Sequence, residues 1–262
     1  MDLGITGKVA MVAAASKGLG KAAAMELARE GAHVSICARG PQIAQVAEEI
    51  RQSTRSKVLG VQADLAKAED IDRFIRATLT EFGSIDILVL NAGGPPPGGF
   101  LDLKPDAWET AFELTVMSAV RLCRGVIPHM LESGGGSIVA IQSYSVKQPV
   151  EGLILSNSLR LAVVSLMESL SQEFGPKGIR VNWINPYFTR TERVEQLLAD
   201  RAARKGSTVE QEATEITRVV PLGRMGTVEE FGRAVAFLAA PASEGISGHG
   251  LMFDGGAVKT PL

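Results

Sequence analysis

The chain has 262 residues, 45% hydrophobic and 21% charged, a balance that excludes a disordered polypeptide. A net charge of −2 and no basic stripe exclude nucleic-acid binding as the main business. No apolar run approaches the roughly 18 residues of a membrane span, and the first residues lack a signal-peptide core. The expectation is a cytoplasmic protein, with Cys37 and Cys123 as buried reduced thiols.

Short apolar runs alternate with longer periodic segments along the whole chain. In order, Val9–Val12, Val34–Cys37, Val58–Val61, Ile87–Leu90, Ile138–Ile141, Val181–Ile184 and Leu251–Phe253 read as strands. Most are apolar at every position, as strands of a parallel sheet covered on both faces must be. Between them, Ile71, Phe74, Ile75, Leu79 and Phe82 recur at helical spacing, as do Leu159, Val163, Leu166, Leu170 and Phe174. A further helix is expected around Trp108 to Met130. This alternation predicts one doubly wound α/β domain over residues 1–262, with about seven mostly parallel strands flanked by helices. The charged segment near 192–220 has helical period and no strand. It is expected to leave the sheet as a helical lid over the carboxyl ends of the strands, where ligands bind.

The loop Ser16-Lys17-Gly18-Leu19-Gly20 follows the first strand and opens an alanine-rich helix. Glycines there let backbone N–H groups approach a pyrophosphate at the positive helix terminus. A glycine loop alone is weak evidence, because tight strand-to-helix turns need glycine without any ligand; the strand-helix context strengthens it. At the end of the second strand stands Ala38, where an NAD-specific site would place a carboxylate, and Arg39 follows. Lys17 and Arg39 suit a 2′-phosphate, so NADP(H) is favoured over NAD(H); the competing reading of Arg39 is a solvated loop charge.

These motifs resemble the short-chain dehydrogenase/reductase family. Its glycine loop maps onto Ala13 to Gly20, with Ala13 and Ala14 in place of Thr-Gly. Asp64-Leu65 matches its adenine contact, and Asn91-Ala92-Gly93 its turn after the fourth strand. Pro186, Thr189 and Thr191 resemble its nicotinamide loop, with Tyr187 where glycine is usual. Pro221-Leu222-Gly223-Arg224 and Asp254-Gly255-Gly256 match its C-terminal signatures. The resemblance implies hydride transfer between a nicotinamide and a carbonyl or alcohol, in a homodimer or homotetramer, with a ketoacyl-reductase-like character.

It also implies a catalytic serine, tyrosine, lysine and asparagine, and here the chain departs. Ser143 matches the serine. Thirteen residues on stands Ser156 in place of tyrosine, four further Arg160 in place of lysine, and Thr115 in place of asparagine. Serine is a poorer acid, and arginine stays charged and cannot shuttle a proton; Arg160 can still hold a ribose hydroxyl of the cofactor. The only two tyrosines, Tyr144 and Tyr187, flank the expected nicotinamide site. They are open to two readings, a replacement acid whose phenolate Arg160 is close enough to favour, or aromatic packing. Pro95-Pro96-Pro97-Gly98-Gly99 reads as a stiff wall or a rigid surface loop. Two functions therefore stand, an NADP(H)-dependent oxidoreductase with an altered proton donor and a non-catalytic NADP(H)-binding protein. A third is an assembly partner of a catalytic subunit. No metal site is expected.

Overall fold

A computed structural model describes residues 2–260. β1 (Val9–Val12), β2 (His33–Ala38), β3 (Val58–Gln62), β4 (Ile87–Leu90), β5 (Gly136–Ile141), β6 (Ile179–Pro186) and β7 (Gly250–Phe253) form one sheet, ordered β3-β2-β1-β4-β5-β6-β7. Every neighbouring pair is parallel. Each run expected as a strand lies inside an observed strand. Burial explains why: β1 and β4 are buried at every position, so neither face is polar.

Helices cover both faces. α1 (Gly18–Arg29), α2 (Ile43–Ser53) and α9 (Val228–Ala239) pack over one core, around Ile36, Leu27 and Phe231. α3 (Ala68–Phe82), α5 (Ser118–Glu132) and α6 (Ile154–Phe174) pack over the other, around Phe74, Leu122 and Met167. α4 (Pro105–Phe112) runs into α5 through one π-helical turn at Glu113–Met117. The helix expected around Trp108 to Met130 is therefore continuous but bulged, and Thr115 sits on the bulge, a distortion that recurs at functional sites.

Strand order reverses between β1 and β4, which opens a crevice beyond the carboxyl ends of the strands. The segment after β6 leaves the sheet as α7 (Glu192–Lys205) and α8 (Val209–Thr217). These two helices have a small core of their own, Leu198, Ile216 and Met225, against which Tyr187 and Phe188 pack. At the opposite, amino-terminal end of the sheet, Arg180 on β6 ties the structure together. Its guanidinium donates to the carbonyls of Leu238, Ala239, Ala240, Ser243 and Ile246 and to the hydroxyls of Ser137 and Ser243.

Candidate active site

The glycine loop is built for close approach. Gly18 has φ +57° and Ala14 has φ +48°, the one non-glycine residue at positive φ among the described residues. An L-residue there costs about 1–2 kcal/mol, so the turn keeps its shape despite the Cβ that Ala14 carries. Asn91 is what holds it: its Nδ2 donates to the Ala14 carbonyl at 3.0 Å, linking the end of β4 to the loop after β1. A β-carbon at Gly20 would stand 2.5 Å from the Ala14 oxygen and 2.7 Å from Asn91 Nδ2, so only glycine fits. Lys17, at the helix N-cap, makes no capping hydrogen bond, and the first turn of α1 carries no acid. The positive end of α1 thus faces the crevice with free N–H groups.

Beside it, an open cleft of about 470 Å³ lies across the ends of β2 and β3, lined by Arg39, Gln62, Asp64, Lys67, Asp70 and Arg73. Its carboxylates are engaged. Asp70 accepts from the Asp64 amide at 2.7 Å and pairs with Arg73 at 2.7 Å, contacts that hold its pKa below the usual carboxylate range. Asp64 Oδ1 accepts from the Ala66 amide, and Leu65 is buried beneath. Arg39 lends its carbonyl to Gln62 and leaves its guanidinium exposed.

At the other end of the crevice, Ser143 follows β5 in extended conformation, and its Oγ accepts from the Ser145 amide at 3.1 Å. The Ser143 proton remains free to be donated. Arg160 reaches across from α6: Nε donates to Ser156 Oγ at 3.2 Å, and Nη1 to the carbonyls of Ile141 and Gln142 at 3.3 and 3.4 Å. Burial pushes the Arg160 pKa down to about 10, helped by the charge of Arg193, so it is still a cation at neutral pH. A cavity of about 20 Å³ lies under it, lined among others by Asn91, Thr115, Gln142 and Arg160. Thr115 Oγ1 and Gln142 Oε1 are buried without a hydrogen-bond partner. Asn157 clamps the turn before α6, accepting from the Val150 amide and donating to its carbonyl.

Comparison with known proteins then decides the family. A family model described as enoyl-(acyl carrier protein) reductase matches residues 13–258. A dehydrogenase/reductase SDR family member 4 of Caenorhabditis elegans is 33% identical over 95% of both chains. L-sorbose reductase from Gluconobacter frateurii, solved with NADPH and L-sorbose, superposes with a TM-score of 0.96 at 31% identity and full coverage of both chains. An actinorhodin polyketide ketoreductase solved with NADPH gives 0.91 at 28% identity, covering 97% of this chain and 98% of that one. The chain belongs to the short-chain dehydrogenase/reductase family. Its members include NADPH-bound reductases, and it is an oxidoreductase of that family.

Against the family's pattern, the two tyrosines have a specific arrangement. Their rings meet edge-on at 4.5 Å between centroids, and Phe188 closes the cluster at 5.1 Å from Tyr187. Burial pushes the Tyr144 phenol up to about 12, and Tyr187 moves in the same direction for the same cause. This corrects one expectation. Arg160 does not favour a tyrosinate; the cation acting on both rings is Arg201 of α7, and its pull is smaller than the cost of burial. Both phenols are neutral at neutral pH, the form that donates a proton.

The segment expected as the nicotinamide loop of this short-chain dehydrogenase/reductase is a tight strap. Pro186 and Thr189 are buried, Thr189 Oγ1 donates to the Tyr187 carbonyl, and Thr191 caps α7 through the Val194 amide. The Thr191 methyl lies 3.7 Å from where a β-carbon on Gly18 would stand, so strap and glycine loop face each other across the crevice. The two C-terminal signatures also meet, the Leu222 amide donating to the Gly255 carbonyl. The proline loop is pinned: the Gly98 amide donates to the Gly152 carbonyl at 2.7 Å, beside a parallel bridge to Leu153. Sequence reasoning missed Gln142, Asn157 and Arg193. Arg193 had a signal, two residues past Thr191 in the segment expected to cover the site; the other two had none.

Proposed function

We propose that the protein transfers a hydride between NADP(H) and a carbonyl or alcohol substrate, with a proton donor different from the family's. Cofactor binding rests on one observation above the others, the acid-free N-terminus of α1 beside a glycine cradle that a single β-carbon would fill. NADP(H) is preferred to NAD(H) because Arg39 and Lys17 flank the ribose end and Ala38 supplies no carboxylate. The bound nicotinamide supplies or accepts the hydride. Ser16, Lys17, Gly18, Leu19 and Gly20 present the helix terminus to the pyrophosphate. Asp64 and Leu65 meet the adenine, while Arg39 takes the 2′-phosphate. Asn91, Ala92, Gly93, Pro186, Thr189 and Thr191 enclose the nicotinamide half, and Arg160 holds a ribose hydroxyl.

Ser143 keeps its proton and orients the substrate by donating a hydrogen bond to its oxygen. Ser156, engaged by Arg160, and Thr115, on the π turn, shape the floor. The proton comes from Tyr144 or Tyr187, both protonated at neutral pH. With a Tyr144 pKa of about 12, the donor form persists as pH rises and is lost only near that value. The reductive rate is therefore expected to stay level from pH 7 to pH 10. A fall centred near the ordinary phenol value of about 10 would exclude Tyr144. Among family branches, the reading is ketoacyl-reductase-like or sugar-dehydrogenase-like, in keeping with the ketoreductase and sorbose reductase that superpose on the chain. The helices α7 and α8 form the substrate lid of a single domain.

A homodimer or homotetramer is part of the reading. Phe112, Leu131 and Leu161, on or beside the helices α5 and α6, are exposed and offer the apolar contact such an assembly needs. Light scattering at micromolar concentration is expected to give a dimer or tetramer mass; a monomer would exclude it. No helix is long and apolar enough to cross a membrane among the described residues. Burial pushes both Cys37 and Cys123 to about 12, keeping them as inert thiols, as a cytoplasmic protein would.

A further inference from the structure

Arg193 has no task in the reading so far. It lies in the first turn of α7, and its side chain folds back over the end of β4. A β-carbon on Gly94 would stand 2.7 Å from Arg193 Nη1 and 3.2 Å from Nη2, so glycine at that position makes room for the guanidinium. The acids nearest in sequence form no ion pair with it among the described residues: Glu192 adjoins it without pairing, and Glu195 is the partner of Arg190 at 3.8 Å. Among the described residues, no carboxylate pairs with Arg193 and no acceptor receives its protons, and the side chain is exposed.

Its surroundings are positive. Arg193 is close enough to Arg160 for the two charges to oppose each other. The cavity lining around Arg160 includes no acidic residue. Two guanidinium groups facing one crevice repel, and an arriving anion relieves that repulsion. Position says which anion. The pyrophosphate end of the crevice is where Thr191 faces Gly18, whereas Gly94 lies just past the Asn91-Ala92-Gly93 turn, whose Asn91 and Ala92 line the cavity shared with Gln142 and Arg160. The guanidinium therefore stands at the reacting end, with the aromatic group of Tyr144, Tyr187 and Phe188 near Ser143 to meet an apolar portion.

We propose that Arg193 receives an acidic group of the substrate, so that the site selects oxo acids, compounds whose carboxylate lies a few atoms from the carbonyl. This rests on the oxidoreductase reading and adds the substrate class. A planar guanidinium matches a carboxylate with two parallel hydrogen bonds, which a neutral ketone cannot accept.

Calorimetry tests it without turnover, using 4-oxo-4-phenylbutanoate and its methyl ester on the protein with and without NADPH. The acid is expected to bind roughly 10- to 100-fold tighter than the ester. Arg193→Gln removes that preference, Arg193→Lys keeps part of it, and NADPH affinity stays within about 2-fold, since the side chain is exposed and not at the pyrophosphate. The proposal is overturned if the native protein shows no preference for the acid, or if the preference survives Arg193→Gln. It is equally overturned if Arg193→Gln weakens NADPH and leaves the acid preference intact, which would assign the guanidinium to the cofactor phosphates. Arg193-dependent acid binding in a protein that reduces nothing would sink the oxidoreductase reading alone.

Discussion

Arg39→Asp is expected to weaken NADPH roughly 100-fold while leaving NADH unchanged or tighter. The exposed guanidinium of Arg39 stands at the end of β2, beside the cleft that also holds Lys67 and Arg73. An ionised acceptor such as a 2′-phosphate gains charge-assisted hydrogen bonds there. The aspartate removes those bonds, adds repulsion against the phosphate, and supplies the carboxylate that a ribose 2′-hydroxyl prefers. Titrations of both cofactors on both proteins check it. Equal or tighter binding of NADH by the native protein would reverse the assignment.

Arg180→Met is expected to cost about 3 kcal/mol of stability, a fall in Tm on the order of 6–12 °C, with NADPH affinity unchanged. The guanidinium serves five carbonyls and two hydroxyls where α9 ends against β5 and β6. Methionine fills much of the volume but donates nothing, so those carbonyls lose their partners. The cluster lies at the amino-terminal end of the sheet, away from the crevice at the carboxyl ends, which is why binding is spared. Thermal unfolding and a cofactor titration on the same sample separate the two effects.

The division between site and scaffold also explains what was legible in the sequence. Strands buried on both faces announce themselves as apolar runs, and Val9–Val12 and Ile87–Leu90 fall on their observed limits. The turns at the glycine loop, Asp64 and Asn91 were readable because each follows directly on a strand. The π turn at Glu113–Met117 left no mark, because the hydrophobic period of the helix continues through it. The arginines were harder. Arg180 reads as an ordinary polar residue in a strand, since its carbonyl partners come from residues 238–246. The contact of Arg193 with Gly94 exists only once α7 folds back over β4. The tyrosines stood out because the chain has only two, and their mutual edge-on contact is a tertiary fact. The cation beside them differs from the one expected for the same reason: Arg160 is held by Ser156 and the end of β5, and Arg201 acts from α7.

On the proposed reading, chemistry at the site depends on a phenol standing in for the family's acid. Losing a positioned proton donor removes about 10²- to 10⁴-fold of rate, while cofactor alignment remains. The most direct measurement follows NADPH oxidation in a single turnover, with a panel of carbonyl compounds that includes oxo acids. Native protein is expected to oxidise bound NADPH, and the double variant Tyr144→Phe, Tyr187→Phe to do so at least 100-fold more slowly with NADPH affinity retained. An equal rate in the double variant would clear both tyrosines of the role. Native protein that binds NADPH tightly and reduces nothing would instead mark a nucleotide-binding protein that has kept the fold and lost the reaction.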